Sequence, residues 1–316
     1  MADIKASIII TTYNRASILK ERSLPSALNQ ICDYNFECIV VDDCSTDDTE
    51  AVVLDFQKKF QNLRYIKQKS NRGLAAARNL GAKIAKGEYV VFLDDDDAFE
   101  KNFLQETIKK LNSLPSEFGA VTSARLLIYP SGNKEYHLVP LNKKRFSYSS
   151  IDDGWLLRRS VFDKILYDED LFMDEDADFG IHFFKNFKAV SIEEPLLLKY
   201  INENSFSLPS KRRIEGLKKF LAKDELILKE MANKEDLAFF YRFGGRYLIL
   251  WGERKNALVY FKKAFFTQPT FRNFLHLFCA VCGIWVYKKF FSLEKYIGIY
   301  ARKLKTIVKT LKNFRY

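Results

Sequence analysis

Two runs of carboxylates carry the clearest chemical signal in this chain, Asp42-Asp43 and Asp94-Asp95-Asp96-Asp97. Adjacent carboxylates repel one another, so a packed run needs a cation beside it. Oxygen ligands suit Mg²⁺ or Mn²⁺, which keep several waters and are typically held by one or two carboxylates together with substrate phosphates. The alternative is a solvated acidic turn capping the next helix. One Asp pair alone would favour that alternative; two runs on the same sheet edge favour a metal–nucleotide site. Between the runs lies Asn71-Arg-Gly-Leu-Ala-Ala-Ala-Arg-Asn-Leu-Gly81. Gly73 can open a helix tightly, and the small residues allow close packing on a sheet. Arg78 falls about one turn into that helix, where a guanidinium can reach a phosphate or an Asp. The position after the first strand reads Thr11-Thr-Tyr-Asn-Arg15, with neither Gly-x-Gly-x-x-Gly nor a Walker-type loop. Any nucleotide is therefore expected on a metal and carboxylates rather than in a glycine cradle.

The elements that must position these residues alternate. Ser7–Ile10, Glu37–Val41, Leu63–Lys67 and Tyr89–Leu93 read as short buried strands, and the carboxylate runs follow the second and fourth of them. Ala16–Asn29, Asp47–Phe60, Gly73–Ala85 and Lys101–Asn112 read as helices, with Gly87 a stop after the third. This alternation predicts an α/β fold with an open, mostly parallel sheet, in which ligands bind outside the carboxyl ends of the strands. The middle is mixed. Ala120–Tyr129 and Glu135–Val139 are expected as strands around Pro130-Ser-Gly-Asn133, Ser160–Ile165 and Asp176–Asn186 as short helices, and Ala189–Ile192 and Leu196–Ile201 as strands. From about residue 211 the pattern is helical.

The chain has 316 residues, 47% of them apolar and 29% charged, enough for about two packed domains and against wholesale disorder. Its net charge of +11 is unevenly placed: residues 1–210 sum to −5 and residues 211–316 to +16. A boundary is expected there, between a catalytic domain over 1–210 and a basic helical extension over 211–316. Five cysteines, an odd count, argue against a disulfide framework and for a reducing compartment. Met1–Lys5 is short and polar and runs straight into a strand, so no secretory segment is expected. Cys279-Ala-Val-Cys282 has no second pair to complete a zinc site and reads as small apolar residues on a helix. His137, His182 and His276 show no ligand spacing among themselves, and His182 is expected to pack or hydrogen-bond on its helix.

Four segments taken together resemble a family-2 glycosyltransferase of the GT-A fold: Ser7-Ile-Ile-Ile-Thr-Thr-Tyr-Asn-Arg15, Ile39-Val-Val-Asp-Asp-Cys-Ser-Thr-Asp47, Asn71-x-Gly73 with Ala77-Arg-Asn79 and Gly81, and Phe92-Leu-Asp-Asp-Asp-Asp97. Each is weak alone, but they fall in family order and spacing and, with a later acidic motif, span about residues 6–200. The resemblance implies a nucleotide-sugar donor, usually a UDP-sugar, and inversion at the anomeric carbon. It places Thr11, Tyr13 and Asp43 around the nucleoside, with Asp43 accepting from the base. Asp94 and Asp96 match the first and last acids of the family's Asp-x-Asp, which implies Asp94 at the ribose or the metal and Asp96 on a Mn²⁺ or Mg²⁺ at the diphosphate; Asp95 between them adds charge at the cofactor site, and Asp42 and Arg78 stand beside them as supporting contacts. Inverting transfer needs a base for the acceptor hydroxyl. Phe172-Met-Asp-Glu-Asp-Ala-Asp-Phe179 resembles the family's Glu-Asp motif, which assigns Asp176 as that base with Glu175 next in line; Asp174 and Asp178 are expected solvated or capping. Trp155, in a stretch resembling the entry to the acceptor half, either stacks on a sugar or belongs to the core.

In the last third, Tyr241, Gly245, Leu248, Ala257, Phe261, Ala264 and Pro269 follow the spacing of one tetratricopeptide-like helix pair, which needs a neighbour to pack on. Phe274–Tyr287 is an uncharged run of 14 residues, shorter than the ~20 needed to span a bilayer. Lys288–Tyr316 carries nine basic residues and one acid, with Ile297, Tyr300, Leu304, Ile307, Val308 and Leu311 at helical intervals. That reads as an amphipathic helix on an anionic leaflet, and so as a peripheral enzyme on the inner face of the cell membrane. No nucleic-acid motif accompanies the positive charge. The expected activity is transfer from a nucleotide sugar to a glycan or glycolipid acceptor. The rivals are a polyprenyl-phosphate sugar synthase and a non-catalytic scaffold of the same fold.

Overall fold

The computed structural model describes residues 3–139, 141, 150–172, 174–201 and 210–294. Its elements run in chain order as β1 (Ala6–Thr12), α1 (Ala16–Glu21), α2 (Ser23–Leu28), β2 (Phe36–Asp42), α3 (Thr49–Gln57), β3 (Leu63–Lys67), α4 (Leu74–Ile84), β4 (Tyr89–Asp94), β5 (Ala98–Phe99), α5 (Phe103–Asn112), β6 (Phe118–Ile128), β7 (Lys134–His137), β8 (Trp155–Arg158), α6 (Glu175–Asn186), β9 (Lys188–Tyr200), α7 (Lys211–Met231), α8 (Lys234–Leu250), α9 (Arg254–Thr267) and α10 (Phe271–Cys282). The chain divides into two compact units, Met1–Met231 and Ala232–Tyr316.

In the first unit the sheet order is β3-β2-β1-β4-β8-β6-β9-β5, with β7 paired to β6. Strands β1 to β4 are parallel, as the alternation predicts. Both faces of this half are covered, which is why its strands are continuous β-branched runs. Ile8, Val40 and Val91 face Leu24, Phe103 and Ile108 on one side; Ile9, Val41 and Phe92 face Ala75, Ala77 and Phe179 on the other. Register does the positioning. Thr11 of β1 lies opposite Asp94 of β4, and Thr12 lies opposite Asp42 of β2. Both acidic runs therefore leave the sheet at one edge, either side of β1.

Beyond β4 the sheet turns antiparallel through β8, whose four residues give too short a signal to separate from a loop. The two strands expected within 189–201 form one, β9, which carries Pro195 opposite Ala124 at a register shift; a residue without an N–H is tolerated at such an irregularity. The single helix expected over 16–29 is two, broken at Arg22, because continuing it would drive the Pro25 ring into the preceding turn. Ser160–Ile165 gives only a 3₁₀ turn at Arg159–Val161.

The first unit runs past residue 210. Helix α7 packs on α6, where Lys223 pairs with Asp168 and Asp178. Its 21 residues therefore group with the α/β half, and the compact boundary falls at Met231 rather than at 210. In the second unit α8 and α9 form the helix pair that the repeat-like spacing predicts. Tyr241, Leu248, Ala257, Phe261 and Ala264 are buried, and a Cβ on Gly245 would lie 2.8 Å from the Phe261 ring. Helix α10 supplies the neighbour, with His276 stacked on Phe261. Helical backbone resumes over 284–294; the amphipathic segment expected from Ile297 to Leu311 lies outside the described residues. Among the described residues no helix is long and apolar enough to cross a membrane.

Gly87 is not the stop of α4, which ends at Ile84. It is glycine because the chain there crosses the β1 backbone: a Cβ would lie 2.6 Å from Ala6 C and Ser7 N. Gly87→Ala is expected to cost about 1–3 kcal/mol through the forced backbone shift, measured as a lower denaturation midpoint.

Candidate active site

The carboxyl ends of β1, β2 and β4 enclose a cavity of about 370 Å³, lined among others by Thr11, Tyr13, Asp43, Asp94 and Asp96. At one end Asp43 organises the loop before α4. Its Oδ2 accepts from Gly73 N–H at 2.7 Å, and its Oδ1 accepts from Arg72 N–H and Gln68 Nε2, both at 2.8 Å. Gly73 holds φ +92°, a region that favours glycine, and so lets the chain turn into α4 against that carboxylate. Asp42 differs from its expected role. It is fully buried, accepts from Ser45 N–H at 2.7 Å and from the Tyr65 hydroxyl at 2.6 Å, and has no surface to offer a ligand. It is a positioning residue for the 43–47 loop.

The four aspartates after β4 divide by environment. Asp94 and Asp96 remain 30% and 28% exposed and open into the cavity. Asp95 is buried, accepting from Thr12 Oγ1 and Arg15 Nη1 at 2.7 Å; burial, opposed by Arg15, pushes its carboxyl up to about 6. Asp97 turns away to Lys199, 3.0 Å from its Oδ2, and to Tyr200 N–H at 2.8 Å. Burial and then Asp153 push the Asp97 carboxyl up to about 9. Lys199 Nζ is also 2.8 Å from Asp153 and 3.8 Å from Asp94. One oxygen each of Asp94, Asp97 and Asp153 lies within 4.8 Å of the others, and the Lys199 ammonium is the cation among them.

Lys199, Asp152, Asp153 and Arg15 were not singled out by sequence. Arg125 donates to both oxygens of Asp152 and, against the effect of burial, holds that carboxyl at about 2. The Asp152-Asp153 pair before Gly154 was a signal of sorts, since paired acids ahead of a buried strand need cations. A lone Lys on an apolar strand was not.

Arg78, on α4, is 2% exposed. Its Nη2 donates to Asp94 Oδ1 at 3.1 Å, and its Nη1 stands 3.8 Å from Glu175 Oε1 at the start of α6. The plane rests against Phe92 and Tyr167. Its Nε and Nη1 find no hydrogen-bond acceptor among the described residues, an unmet donor capacity that a ligand oxygen can fill.

Asp176 follows Glu175 in the first turn of α6. Its main-chain oxygen accepts from Ile151 N–H at 3.0 Å, which ties α6 to the Asp152-Asp153 loop. Burial, then Glu175 and Asp152, push its carboxyl up to about 7, with Arg78 pulling the other way. A base with a pKa near the working pH is the form best suited to general base catalysis. Asp178, expected solvated or capping, is buried against Lys223 instead. Asp174 adopts a left-handed conformation at the helix start, and its side chain makes no cap hydrogen bond. Trp155 is core: it is fully buried and set edge-on to Phe184.

A parallel α/β half with an acidic, cation-ready edge, continued by a mixed half that brings a second acidic helix toward it, is the architecture of GT-A nucleotide-sugar transferases. S. aureus TarS 1–349, determined with UDP-GlcNAc, superposes with a TM-score of 0.61 over 90% of this chain and 89% of that one, at 22% identity. The mannosyltransferase PcManGT from Pyrobaculum calidifontis, determined with GDP-Man and Mn²⁺, gives 0.57 over 89% and 83%, at 18% identity. At these identities the likeness shows the fold. Residues 7–166, just over half of the chain, match the family described as Glycosyl transferase family 2, and the chain belongs to it. It is 29% identical over 265 residues to a Campylobacter jejuni GalNAc(5)-diNAcBac-PP-undecaprenol beta-1,3-glucosyltransferase, covering 77% of this chain and 82% of that protein. The chain is a glycosyltransferase.

Proposed function

We propose that this glycosyltransferase moves a sugar, with inversion, from a UDP-sugar to a hydroxyl of a glycan or glycolipid. The observation that carries the reading is the Arg78 bridge, 3.1 Å from Asp94 on the donor edge and 3.8 Å from Glu175 on the acceptor helix. Inversion requires the attacking oxygen and the departing diphosphate on opposite faces of the anomeric carbon, and one buried guanidinium spans the two carboxylate sets. Thr11, Tyr13 and Asp43 hold the nucleoside end. Asp94 and Asp96, hard oxygen donors open to the cavity, fit Mn²⁺ or Mg²⁺. A bound divalent ion supplies positive charge to the leaving diphosphate. Asp176, with Glu175 beside it, accepts the acceptor's hydroxyl proton as the oxygen–carbon bond forms and the carbon–phosphate-oxygen bond breaks.

The test is thermal. With Mn²⁺ and a UDP-sugar at 100-fold over Kd, the native state gains about 2.7 kcal/mol and the melting temperature rises. The Asp94→Asn/Asp96→Asn double variant is expected to lose that rise. A rise only with GDP-sugars would overturn the choice of donor.

The second unit is read as the membrane contact. Phe271, Phe274, Phe278, Val281 and Trp285 are exposed at helical spacing along α10 and the helix that follows, with Lys288 and Lys289 at the end of the stripe. Exposed aromatics beside basic residues suit an anionic leaflet. On this reading the enzyme is peripheral at the cytoplasmic face of the cell membrane, where a lipid-linked acceptor would be met. Phe278→Glu/Trp285→Glu is expected to leave the protein in the supernatant when vesicles containing phosphatidylglycerol are pelleted, whereas the unchanged chain co-sediments. Equal sedimentation of both would refute the contact.

A further inference from the structure

Helix α6 carries a second constellation beyond Asp176. Asp178 and His182 stand one turn apart on it, and Asp224 of α7 faces them. His182 Nε2 is 3.7 Å from Asp178 Oδ1 and 3.7 Å from Asp224 Oδ1. One ligand atom from each residue lies within 4.8 Å of the others. Asp224 is 0% exposed, yet among the described residues no donor reaches either of its oxygens, nor does His182 Nε2 have a partner. Lys223 is the ammonium at hand, 2.7 Å from Asp178 and 2.9 Å from Asp168. Three carboxylates thus share one monovalent cation, and the most buried of them is bare. An unpaired, unsolvated carboxylate in a protein interior is costly enough that it is normally protonated or bound to a cation.

We propose that Asp178, His182 and Asp224 form a binding site for a divalent transition-metal ion, Zn²⁺ first, separate from the donor edge. One imidazole nitrogen with two carboxylate oxygens is a zinc-type donor set, whereas Mg²⁺ prefers oxygen alone. A tetrahedral ion about 2.0–2.2 Å from each ligand sets the ligand atoms roughly 3.4 Å apart, close to the 3.7 Å between His182 Nε2 and each carboxylate. His182 is partly exposed, which leaves a side for water as the fourth ligand. Lys223 keeps Asp168 as its partner when Asp178 turns to the ion. Such an ion would fasten α6, whose first turn carries Asp176, to α7. The competing account is a proton shared between Asp178 and Asp224, since burial and then Asp178 push the Asp224 carboxyl up to about 8.

The two accounts separate in the full-length Asp94→Asn/Asp96→Asn protein, where the donor-edge acids are neutralised. The protein is stripped with chelator, loaded with Zn²⁺, gel-filtered, and its zinc counted by mass spectrometry alongside the melting temperature. The site predicts a retained zinc and a zinc-dependent rise in melting temperature. His182→Ala and, separately, Asp224→Asn each remove one zinc per chain and abolish the rise. Asp224→Asn also relieves the bare charge, so it is expected to fold without zinc at least as stably as the stripped parent. Zinc retention unchanged by both substitutions, or no retention in the parent, overturns the proposal in favour of the shared proton.

Discussion

Asp176→Asn is expected to lower kcat by about 10²–10⁴-fold, the usual contribution of a positioned general base, while donor affinity in the presence of Mn²⁺ stays within about twofold. The amide keeps the shape and the hydrogen bond from Ala177 N–H at 2.8 Å but has no basic oxygen for the acceptor proton. Direction follows from the environment. Burial, Glu175 and Asp152 raise the carboxyl to about 7, so the unsubstituted enzyme should lose activity below that pH as Asp176 takes up a proton. In a plot of log kcat/KM, the acid limb should fall by one unit per pH unit and vanish in Asp176→Asn. Near-normal turnover in that variant, with the limb in place, would move the base to Glu175.

The acids at the carboxyl edge of the parallel strands were legible because their signal is local. Asp43 and the Asp94–Asp97 run each follow a buried β-branched strand, and a parallel sheet sends such strand ends to one edge. What the sequence could not separate was orientation within a run. Asp42 and Asp43 are neighbours of one type, yet strand alternation turns one into the interior against Tyr65 and the other toward the cavity. Asp94 to Asp97 also divide, by exposure: Asp94 and Asp96 stay partly open, Asp96 sharing Arg15 with the buried Asp95, while Asp97 is buried on Lys199.

The half of the sheet beyond β4 was less legible because its pairings are long-range. Lys199 meets Asp97 and Asp153 across 102 and 46 residues, and nothing near it in sequence marks it as their cation. Strand β8 is short and antiparallel, so neither length nor a connecting helix announces it. Trp155 became core through that strand, since pairing opposite Thr122 leaves its ring no route to a sugar. Charge misled in one place. Helix α7 is strongly basic at its start, which groups it with the basic extension by charge, but Lys223 ties it to Asp178 of α6.

Arg78→Gln is expected to cost both stability and the position of the acid limb. Removing one partner of a buried ion pair leaves the other charge uncompensated, worth about 3–5 kcal/mol and, for a domain of this size, a fall in melting temperature on the order of 10 °C. Here Asp94 loses its guanidinium donor and Glu175 its nearest cation. Asp176 is affected as well. Arg78 opposes the burial, Glu175 and Asp152 that raise the Asp176 carboxyl, so without it that carboxyl must rise further. The limb in log kcat/KM should therefore shift to higher pH, and Arg78→Lys, which keeps the charge, should restore most of that shift while recovering less of the stability. A purely structural arginine would lower the melting temperature and leave the limb where it was. Measured together, the two quantities decide whether Arg78 couples the donor edge to the base or only fills the space between them.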